Sequence, residues 1–439
     1  MKLLKYTFII SLVTLLSCQI DEIQDPNNPS VIAIENNASR NELQLLVSGV
    51  ESEMRDEMGF YYDVLGIIGR EYYFFTNSDP RYTGEVLGKG EATLDDAGFY
   101  GTRPYAGRYK VVKDANILMT AAQNAADPLS DSELKGFTGF AKTTQAYSLL
   151  LVLNMQYQNG IRIEVSDPEN LGPFKDYSTA LGDISSLLDA GYADLNTAGS
   201  EALFFLSEGF VFNGLDELES LKQFNRAIKA RVELYRGNKT AALSALSDSF
   251  FDLAGSLNMG PSHFYDAAGT DLPNPVYRTP NGSEALAAQP SYVTDIRAGD
   301  DRINKVAMRT SPATLDGLTS NYDVVIYSSI SSNIPIIRNE ELILIYAEAN
   351  IGTNNTEAAS ALSIITSAHG LGNYTGALTD SELVDELLYN RRYSLFGEAH
   401  RWIDMRRYDR LDQLPIDRPG DDVWTQLPRP VSEIGVQGG

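Results

Sequence analysis

Hydrophobic residues recur at helical spacing along most of this chain. Within residues 42–58, Leu43, Val47, Val50 and Met54 follow one another at steps of three and four, which places them on one face of an α-helix. The same pattern predicts helices at residues 106–125, 130–158, 177–196, 218–236, 240–254, 338–351 and 356–368. A further helix follows Thr379, which can cap it together with Glu382 in a capping box.

Several of these helices come in close pairs. Gly237 and Asn238 separate one pair, and residues 352–355 separate another. A helix, a tight turn and a second helix within thirty-odd residues form the unit of tetratricopeptide arrays. The pattern therefore predicts an all-α fold built on a tetratricopeptide-like scaffold of helical pairs.

Two long segments interrupt the helical pattern. Residues 59–101 carry clusters of Gly, Pro and aromatic residues, and residues 256–335 carry scattered Gly, Pro and Ser around short β-like runs such as 322–327. Loops of this length inside a compact body are uncommon unless they are functional. We expect irregular insertions with minor β-structure here, and we expect a binding site among them.

The first residues have the features of a secretory signal. Lys2 and Lys5 precede an apolar run over residues 6–16, which is too short to cross a hydrocarbon core of about 30 Å. The run leads to Cys18, the single cysteine of the chain, in a context that resembles the lipobox of bacterial lipoproteins. That resemblance implies a signal-peptide segment over residues 1–18, with cleavage directly ahead of Cys18 and lipidation of Cys18 itself. The alternative is a buried cysteine in an uncleaved helix.

The composition after Cys18 predicts that the chain divides into a tether and a folded domain. Residues 19–38 are polar and rich in turn-forming residues, which favours a flexible tether. The remaining residues, 39–439, are expected to form one domain that carries the two insertions.

The charge balance limits the partners of the folded body. The 439 residues include 59 acidic and 35 basic side chains, a formal net charge of -24 at pH 7. Such a surface repels nucleic-acid phosphates and anionic headgroups. We therefore expect no nucleic-acid partner, membrane contact through the lipid anchor alone, and a neutral or cationic ligand.

Arginines nevertheless concentrate near the C-terminus, in the stretch RRYSLFGEAHRWIDMRRY, residues 391–408. This stretch resembles the C-terminal signature of the SusD/RagB family of Bacteroidetes outer-membrane lipoproteins. Residues 336–349 resemble that family's arginine- and glutamate-bearing helix, residues 300–302 its D-x-R, and residues 427–433 its Pro-rich ending. Asn390 and Ala399 depart from the pattern, where glutamate and glycine are usual, and residues 367–369 replace an arginine-containing turn.

The arginines are interpreted as scaffold. Asp404, Glu398 and Glu348 offer carboxylates near these arginines. Glu398 and Glu348 are expected to pair with Arg401 or Arg392. Guanidinium–carboxylate pairs of this kind suit partly buried contacts between helices. His400 is interpreted as a structural histidine.

The sequence carries none of the common catalytic or cofactor motifs. It has no Walker loop, GxSxG, HExxH or paired CxxC, and its three histidines lie far apart. We therefore predict no enzyme activity, no cofactor and no metal site. A carboxylate pair of the glycosidase kind stays possible, because its signature is a distance in space.

Aromatic residues are dense in the first insertion and just after it. Residues 60–109 contain twelve aromatic side chains, against 10% aromatic residues in the whole chain. A neutral sugar needs flat rings for its C–H face and planar polar groups for its hydroxyl rim. Rings that only anchor the insertion are the alternative. The predicted ligand-binding residues are Asn77, Asp79, Arg81, Tyr82, Tyr100 and Arg103, of which 81, 82, 100 and 103 are expected to be exposed; the family resemblance adds Tyr292 and Tyr322 from the second insertion.

The resemblance also implies a function. Members of the family are cell-surface lipoproteins that capture oligosaccharides or polysaccharides and deliver them to a SusC-like TonB-dependent barrel in the outer membrane. A RagB-like peptide-binding role, a surface glycan hydrolase and a purely structural subunit are the alternatives. Burial of every ring in residues 60–109 would contradict the glycan-binding expectation.

Overall fold

The computed structural model describes residues 31–199, 202, 204–267, 269 and 271–434. Over these residues the chain is mainly helical with small sheets, which confirms the predicted fold class. The predicted signal peptide and Cys18 lie outside the described residues. The helices are α1 (Val31–Asn37), α2 (Arg40–Arg55), α3 (Met58–Ile68), α4 (Phe99–Gln123), α5 (Asp131–Gln156), α6 (Tyr177–Thr197), α7 (Glu217–Tyr235), α8 (Lys239–Ser247), α9 (Ser291–Asp295), α10 (Asn339–Asn350), α11 (Asn355–Ala368), α12 (Asp380–Ser394) and α13 (Arg401–Arg407).

Consecutive helices pack against each other as predicted from their apolar faces. Helices α4, α5, α6 and α7 each contact the next one in the chain, and α10, α11 and α12 pack together. Helix α10 also contacts α7 and α8, which joins the C-terminal helices to the preceding ones. The result is an array of helical pairs around one large hydrophobic core, with a second, smaller cluster among α10, α11 and α12.

Polar caps fix where several helices begin. Ser39 and Glu42 form a capping box at α2, and Ser130 and Glu133 form another at α5. Thr379 caps α12 by accepting from the Glu382 backbone N–H, as predicted. The Glu382 carboxylate bonds the Ala377 N–H at 3.4 Å, whereas the predicted capping box would direct it to Thr379.

The two insertions meet in a single sheet. The strands are β1 (Tyr72–Phe75), β2 (Ile161–Arg162), β3 (Phe174–Lys175), β4 (Ser262–His263), β5 (Ala285–Ala288), β6 (Val306–Leu315), β7 (Leu318–Val324) and β8 (Ile334–Pro335). The larger sheet has the antiparallel order β1-β5-β7-β6, with Tyr72 opposite Ala288 and Met308 opposite Tyr322. Strand β1 of the first insertion is therefore held by strands of the second.

The first insertion is less irregular than predicted. Residues 58–68 form α3, and from Tyr61 to Ile68 every residue of this helix is buried. A helix that is surrounded on all sides carries apolar residues on all sides, so it lacks the polar face that marks an amphipathic helix in a sequence.

The segment predicted as a tether also requires correction where it is described. Residues 31–37 form α1, and Ala38 is fully buried. The Asn124 side-chain amide donates to the Glu35 carbonyl, and the Ala126 N–H donates to the Ala38 carbonyl. This part of the chain therefore packs on the end of α4. Within the described ranges, no helix combines the length and apolar character needed to span a bilayer.

Candidate functional site

Most of the aromatic segment lies in the core. Of its twelve rings nine are buried, namely Tyr61, Tyr62, Tyr72, Tyr73, Phe74, Phe75, Tyr82, Tyr100 and Tyr105. Phe60, Phe99 and Tyr109 are half-buried. The anchoring alternative therefore holds for most of these rings, and an open aromatic surface can use only the few that remain.

Three tyrosines predicted as ligand contacts are buried, which corrects the prediction. The Tyr100 hydroxyl donates to Glu85 at 2.5 Å, and the Tyr292 hydroxyl donates to the Arg302 carbonyl at 2.7 Å. Tyr292 also packs on Phe396, with ring centroids 4.2 Å apart. Tyr82 is 5% exposed and packs edge to face against Phe74 and Phe99. Internal partners satisfy the first two hydroxyls, which removes the reason for expecting them at the surface.

Two of the predicted residues, Arg81 and Arg103, lie on what we call the arginine–aromatic face, which consists of these two arginines and Phe60, Phe99 and Arg278. Beneath it, four rings meet edge to face in the order Phe60, Phe99, Tyr82 and Phe74, with centroid separations of 5.5, 5.4 and 4.8 Å. The row connects α3, α4, the turn at residues 80–82 and β1. Packing against buried neighbours fixes its rings.

A guanidinium covers three of the four rings of this row. The Cζ atoms of Arg81 and Arg103 lie 4.4 Å from the centroids of Phe99 and Phe60, respectively, and Arg278 Cζ lies 4.7 Å from Phe74. Contacts of this kind are cation–π interactions, which orient the guanidinium and leave its N–H edges available for hydrogen bonds.

Each arginine of the face also has a carboxylate partner. Arg81 bonds Asp79 through two contacts, Nε to Oδ1 at 3.0 Å and Nη2 to Oδ2 at 2.6 Å. Arg103 Nη2 bonds Glu57 Oε1 at 2.8 Å. The hydrogen bonds from Arg81 hold the pKa of Asp79 below its usual value. The charges within these two pairs therefore compensate each other.

The third pair joins the half-buried Arg278 to a carboxylate that is buried under the face. Asp63 Oδ2 lies 3.5 Å from Arg278 Nη2, and Asp63 Oδ1 has no hydrogen-bond partner among the described residues. Burial raises the pKa of the Asp63 carboxyl to about 7, although the Arg278 charge opposes the rise. The charge of Arg278 is thus only partly balanced near neutral pH.

The remaining predicted residues divide between two places. Asn77 is exposed directly after β1, next to Thr76 and Ser78, whose side chains both bond Glu284. Tyr322 is half-buried in β7, on the strand pair farther from α3 and α4. The structure therefore brings Arg81, Asp79 and Arg103 onto one face, whereas Tyr322 belongs to the β6–β7 hairpin.

Sequence reasoning missed two contributors to the face. Arg278 belongs to the second insertion, and no local pattern links it to Phe74. Glu57 has a left-handed backbone conformation between α2 and α3, with φ of 56°. Its carboxylate reaches Arg103, but a single acidic residue at a helix junction gives no sequence signal.

The C-terminal arginines are scaffold, as interpreted. Arg391 is 2% exposed and bonds Asp404 at 2.7 Å, and Arg407 bonds both Asp404 and Glu348. The expected pairing of Glu348 and Glu398 with Arg401 or Arg392 is wrong. Glu348 pairs with Arg407, Glu398 with Arg338, and Arg392 with Asp295.

His400 is enclosed in the same region. Burial lowers its pKa to about 4, and its Nε2 lies 3.6 Å from Glu341. Neutral and buried, it has the environment of a structural histidine. Across the described part of the chain, no group of three or more His, Cys, Asp and Glu side chains has a geometry that could hold a metal ion.

Comparisons with known proteins agree with this architecture. Residues 320–421 match the model of the SusD family. A SusD superfamily protein from Bacteroides thetaiotaomicron VPI-5482 is 17% identical with a TM-score of 0.65, over 91% of this chain and 98% of that one. Another from Bacteroides vulgatus ATCC 8482 is 14% identical with a TM-score of 0.66, over 90% and 96% of the two chains.

A third solved structure was determined with a ligand. It is the surface glycan-binding protein A from Bacteroides thetaiotaomicron in complex with laminarihexaose, 14% identical with a TM-score of 0.68, over 91% of this chain and 98% of that one. At these identities the likeness shows the fold. No curated protein matches the sequence. The C-terminal match agrees with the family resemblance, and the fold is SusD-like.

Proposed function

We propose that this protein is a cell-surface lipoprotein that binds oligosaccharides and delivers them to a SusC-like TonB-dependent barrel. The proposal starts from its SusD-like fold and from the match of its C-terminal region. The family model and the laminarihexaose complex of a structural relative support the ligand class. The signal-like N-terminus and Cys18 support the anchor, and the anchor supports an outer-membrane location.

The arginine–aromatic face carries the proposal. Its arginines stack on fixed rings, and the side chains of Arg81 and Arg103 are 36% and 53% exposed, respectively. A sugar ring can lie against the flat guanidinium and the ring edges, while its hydroxyls accept from guanidinium N–H groups and donate to Asp79 or Glu57. Because the charges compensate, a neutral saccharide fits better than an ion.

Binding on an open face is expected to be modest for each sugar unit. A short contact offers few hydrogen bonds, so affinity has to grow with the number of units that lie along the surface. We therefore expect preference for oligosaccharides over monosaccharides. The ligand leaves unchanged, which separates this function from that of a hydrolase.

Affinity electrophoresis tests the proposal. The chain without residues 1–18, produced without its lipid, is run through gels that contain soluble polysaccharides, including a β-1,3-glucan chosen because of the laminarihexaose complex. We expect retardation by at least one glycan, and its loss in the variant Arg81→Ala/Arg103→Ala. The control is Lys110→Ala, since Lys110 is as exposed as Arg103 and is likewise paired with a carboxylate, that of Glu53.

Two further results would reject the proposal. Retention of oligopeptides with no glycan retained would establish the peptide-binding alternative. Release of new reducing ends from a glycan that the protein retains would establish the hydrolase alternative.

A further inference from the structure

A separate pocket lies within the helical array, apart from the arginine–aromatic face. Its volume is about 400 Å³, and we call it the tyrosine pocket because four tyrosines line it. Tyr157 follows α5, Tyr177 begins α6, Tyr235 ends α7 and Tyr408 follows α13. These elements are far apart in the chain and converge only in the folded array. None of the pocket's lining residues belongs to the arginine–aromatic face.

The rings of the pocket are held in place from behind. Tyr157 and Tyr177 pack edge to face with centroids 4.8 Å apart, and the buried Arg406 lies over Tyr157 at 4.1 Å. Arg407 lies 4.8 Å from the Tyr235 centroid and 5.4 Å from that of Tyr408. The two arginines therefore occupy the positions that a cationic ligand would take over these rings.

The charged groups that line the pocket already have partners. Arg407 bonds Glu348 Oε1 at 2.8 Å and Asp404 Oδ1 at 3.0 Å, and Lys239 Nζ donates to the Ile351 carbonyl at 2.5 Å. An anion would have to compete with Glu348 and Asp404 for Arg407, and with the Ile351 carbonyl for Lys239. The pocket therefore offers aromatic surface together with hydrogen-bonding groups.

We propose that the tyrosine pocket is a second saccharide site, which takes one or two neutral sugar units. Ring faces and edges can cover the C–H side of a sugar, and tyrosine hydroxyls and the Glu348–Arg407 pair can bond its hydroxyls. A volume of about 400 Å³ lies in the range of ordinary small-ligand pockets. The proposal rests on the glycan-binding function, to which it adds a compact site for short sugars.

Its location suggests a use distinct from that of the open face. The lining includes Glu348 and Arg407, which belong to the ion-pair network that joins α10 and α13. A sugar in the pocket would contact this network directly. Occupancy is therefore expected to stabilise the C-terminal helices against unfolding, since a ligand that binds only the native state raises its stability.

Saturation-transfer NMR with maltose, cellobiose and laminaribiose tests the pocket on the chain without residues 1–18. We expect at least one disaccharide to give a signal, and Tyr177→Ala/Tyr408→Ala to weaken its binding about tenfold. The matched control is Tyr192→Ala/Tyr374→Ala, which removes two half-buried tyrosines that do not line the pocket. Circular dichroism verifies that each variant is folded.

Two other variants keep the test decisive if the alanine variant unfolds. Val384 of helix α12 is half-buried and lines the pocket, so Val384→Phe places a ring into the pocket and is expected to block binding. Tyr177→Phe/Tyr408→Phe keeps the rings and removes the hydroxyls, so we expect a weakening of several-fold. Unchanged disaccharide binding in the folded Val384→Phe variant would overturn the proposal.

Comparison with the variant Arg81→Ala/Arg103→Ala separates the two sites. Disaccharide binding that survives in this variant and disappears in Val384→Phe supports the pocket. Glycan binding that only Arg81→Ala/Arg103→Ala abolishes, with no disaccharide signal from the pocket, overturns this inference and leaves the proposed function standing. Binding of oligopeptides but no sugar, blocked by Val384→Phe, would overturn both.

Discussion

Arg231 and Glu341 form a buried, two-contact ion pair between α7 and α10, with Nε–Oε1 and Nη2–Oε2 distances of 2.7 and 2.6 Å. Their side chains are 4% and 1% exposed. Burial alone would raise the pKa of Glu341, but the Arg231 charge outweighs burial and the pKa falls to about 2. The pair is therefore ionised at neutral pH, and each charge depends on the other.

Removing one member of this pair should destabilise the protein strongly. We expect Glu341→Gln to lower the free energy of unfolding by roughly 3–5 kcal/mol, because it leaves the Arg231 charge buried without its partner. Urea denaturation at neutral pH measures the change. The double variant Arg231→Met/Glu341→Leu should recover most of it, and a double variant as unstable as the single one would contradict this explanation.

Stability should depend on pH through Asp63. Its native pKa of about 7 lies above the unfolded value near 3.9, so between about pH 4 and pH 7 the native state keeps a proton that the unfolded state has released. This group therefore lowers the free energy of unfolding as pH rises through that window. Below it, both states are protonated and the effect vanishes.

The variant Asp63→Asn removes this dependence. Relative to the natural chain, we expect equal stability near pH 4 and an advantage of about a few kcal/mol above pH 7, measured by urea denaturation across the range. Glu71→Gln is a parallel case, because burial raises the pKa of Glu71 to about 8. An Asp63→Asn protein less stable than the natural chain at pH 8 would show that Arg278 needs the ionised carboxylate.

Binding at the arginine–aromatic face should be insensitive to salt. The arginines are already paired with Asp79 and Glu57, so the dissociation constant for a neutral oligosaccharide should change less than about twofold between about 50 and 500 mM salt. Calorimetric titration provides the constants. A steep loss of affinity with salt would instead indicate an anionic ligand.

The same titration can separate stacking from charge. Arg81→Lys/Arg103→Lys keeps both positive charges but loses the flat guanidinium groups. We expect affinity to fall at least about fivefold, close to the effect of the alanine variants. Full retention of affinity by the lysine variant would refute the stacking role.

Gly160 is predicted to tolerate no side chain. Its φ of 68° lies in the left-handed region, and a Cβ atom there would stand 2.1 Å from the Lys175 carbonyl oxygen. Gly90 has a similar φ of 64°, but a Cβ atom added at Gly90 would point into open space. Thermal unfolding should show a loss of about 1 kcal/mol for Gly90→Ala and clearly more for Gly160→Ala. Equal losses would contradict the steric argument.

The sequence predicted the helical pairs because their apolar faces are periodic. Helices α4 to α7, α10 and α11 begin and end within a few residues of the predicted bounds, except that α4 begins seven residues earlier, and α12 begins directly after Thr379 as predicted. Helix α8 ends at Ser247, whereas the apolar pattern continues to residue 254. Helix α3 was missed because it is buried on all sides, so its sequence shows no polar face.

The candidate site was predictable only in part. Arg81, Asp79 and Arg103 share a face because they lie close in sequence around the same turn and helix. Tyr100 flanks a glycine, which suggested exposure, but Glu85 and the Asp95 N–H satisfy its hydroxyl internally. The tyrosine pocket gave no local signal, because its rings come from four distant segments.

A crystal structure of the protein with an oligosaccharide that it retains tests the central claim most directly. The account predicts sugar density against the Arg81 and Arg103 guanidiniums, beside Phe60 and Phe99, with hydroxyls bonded to Asp79 or Glu57. Clear sugar density elsewhere on the molecule, with this face bare, would contradict it.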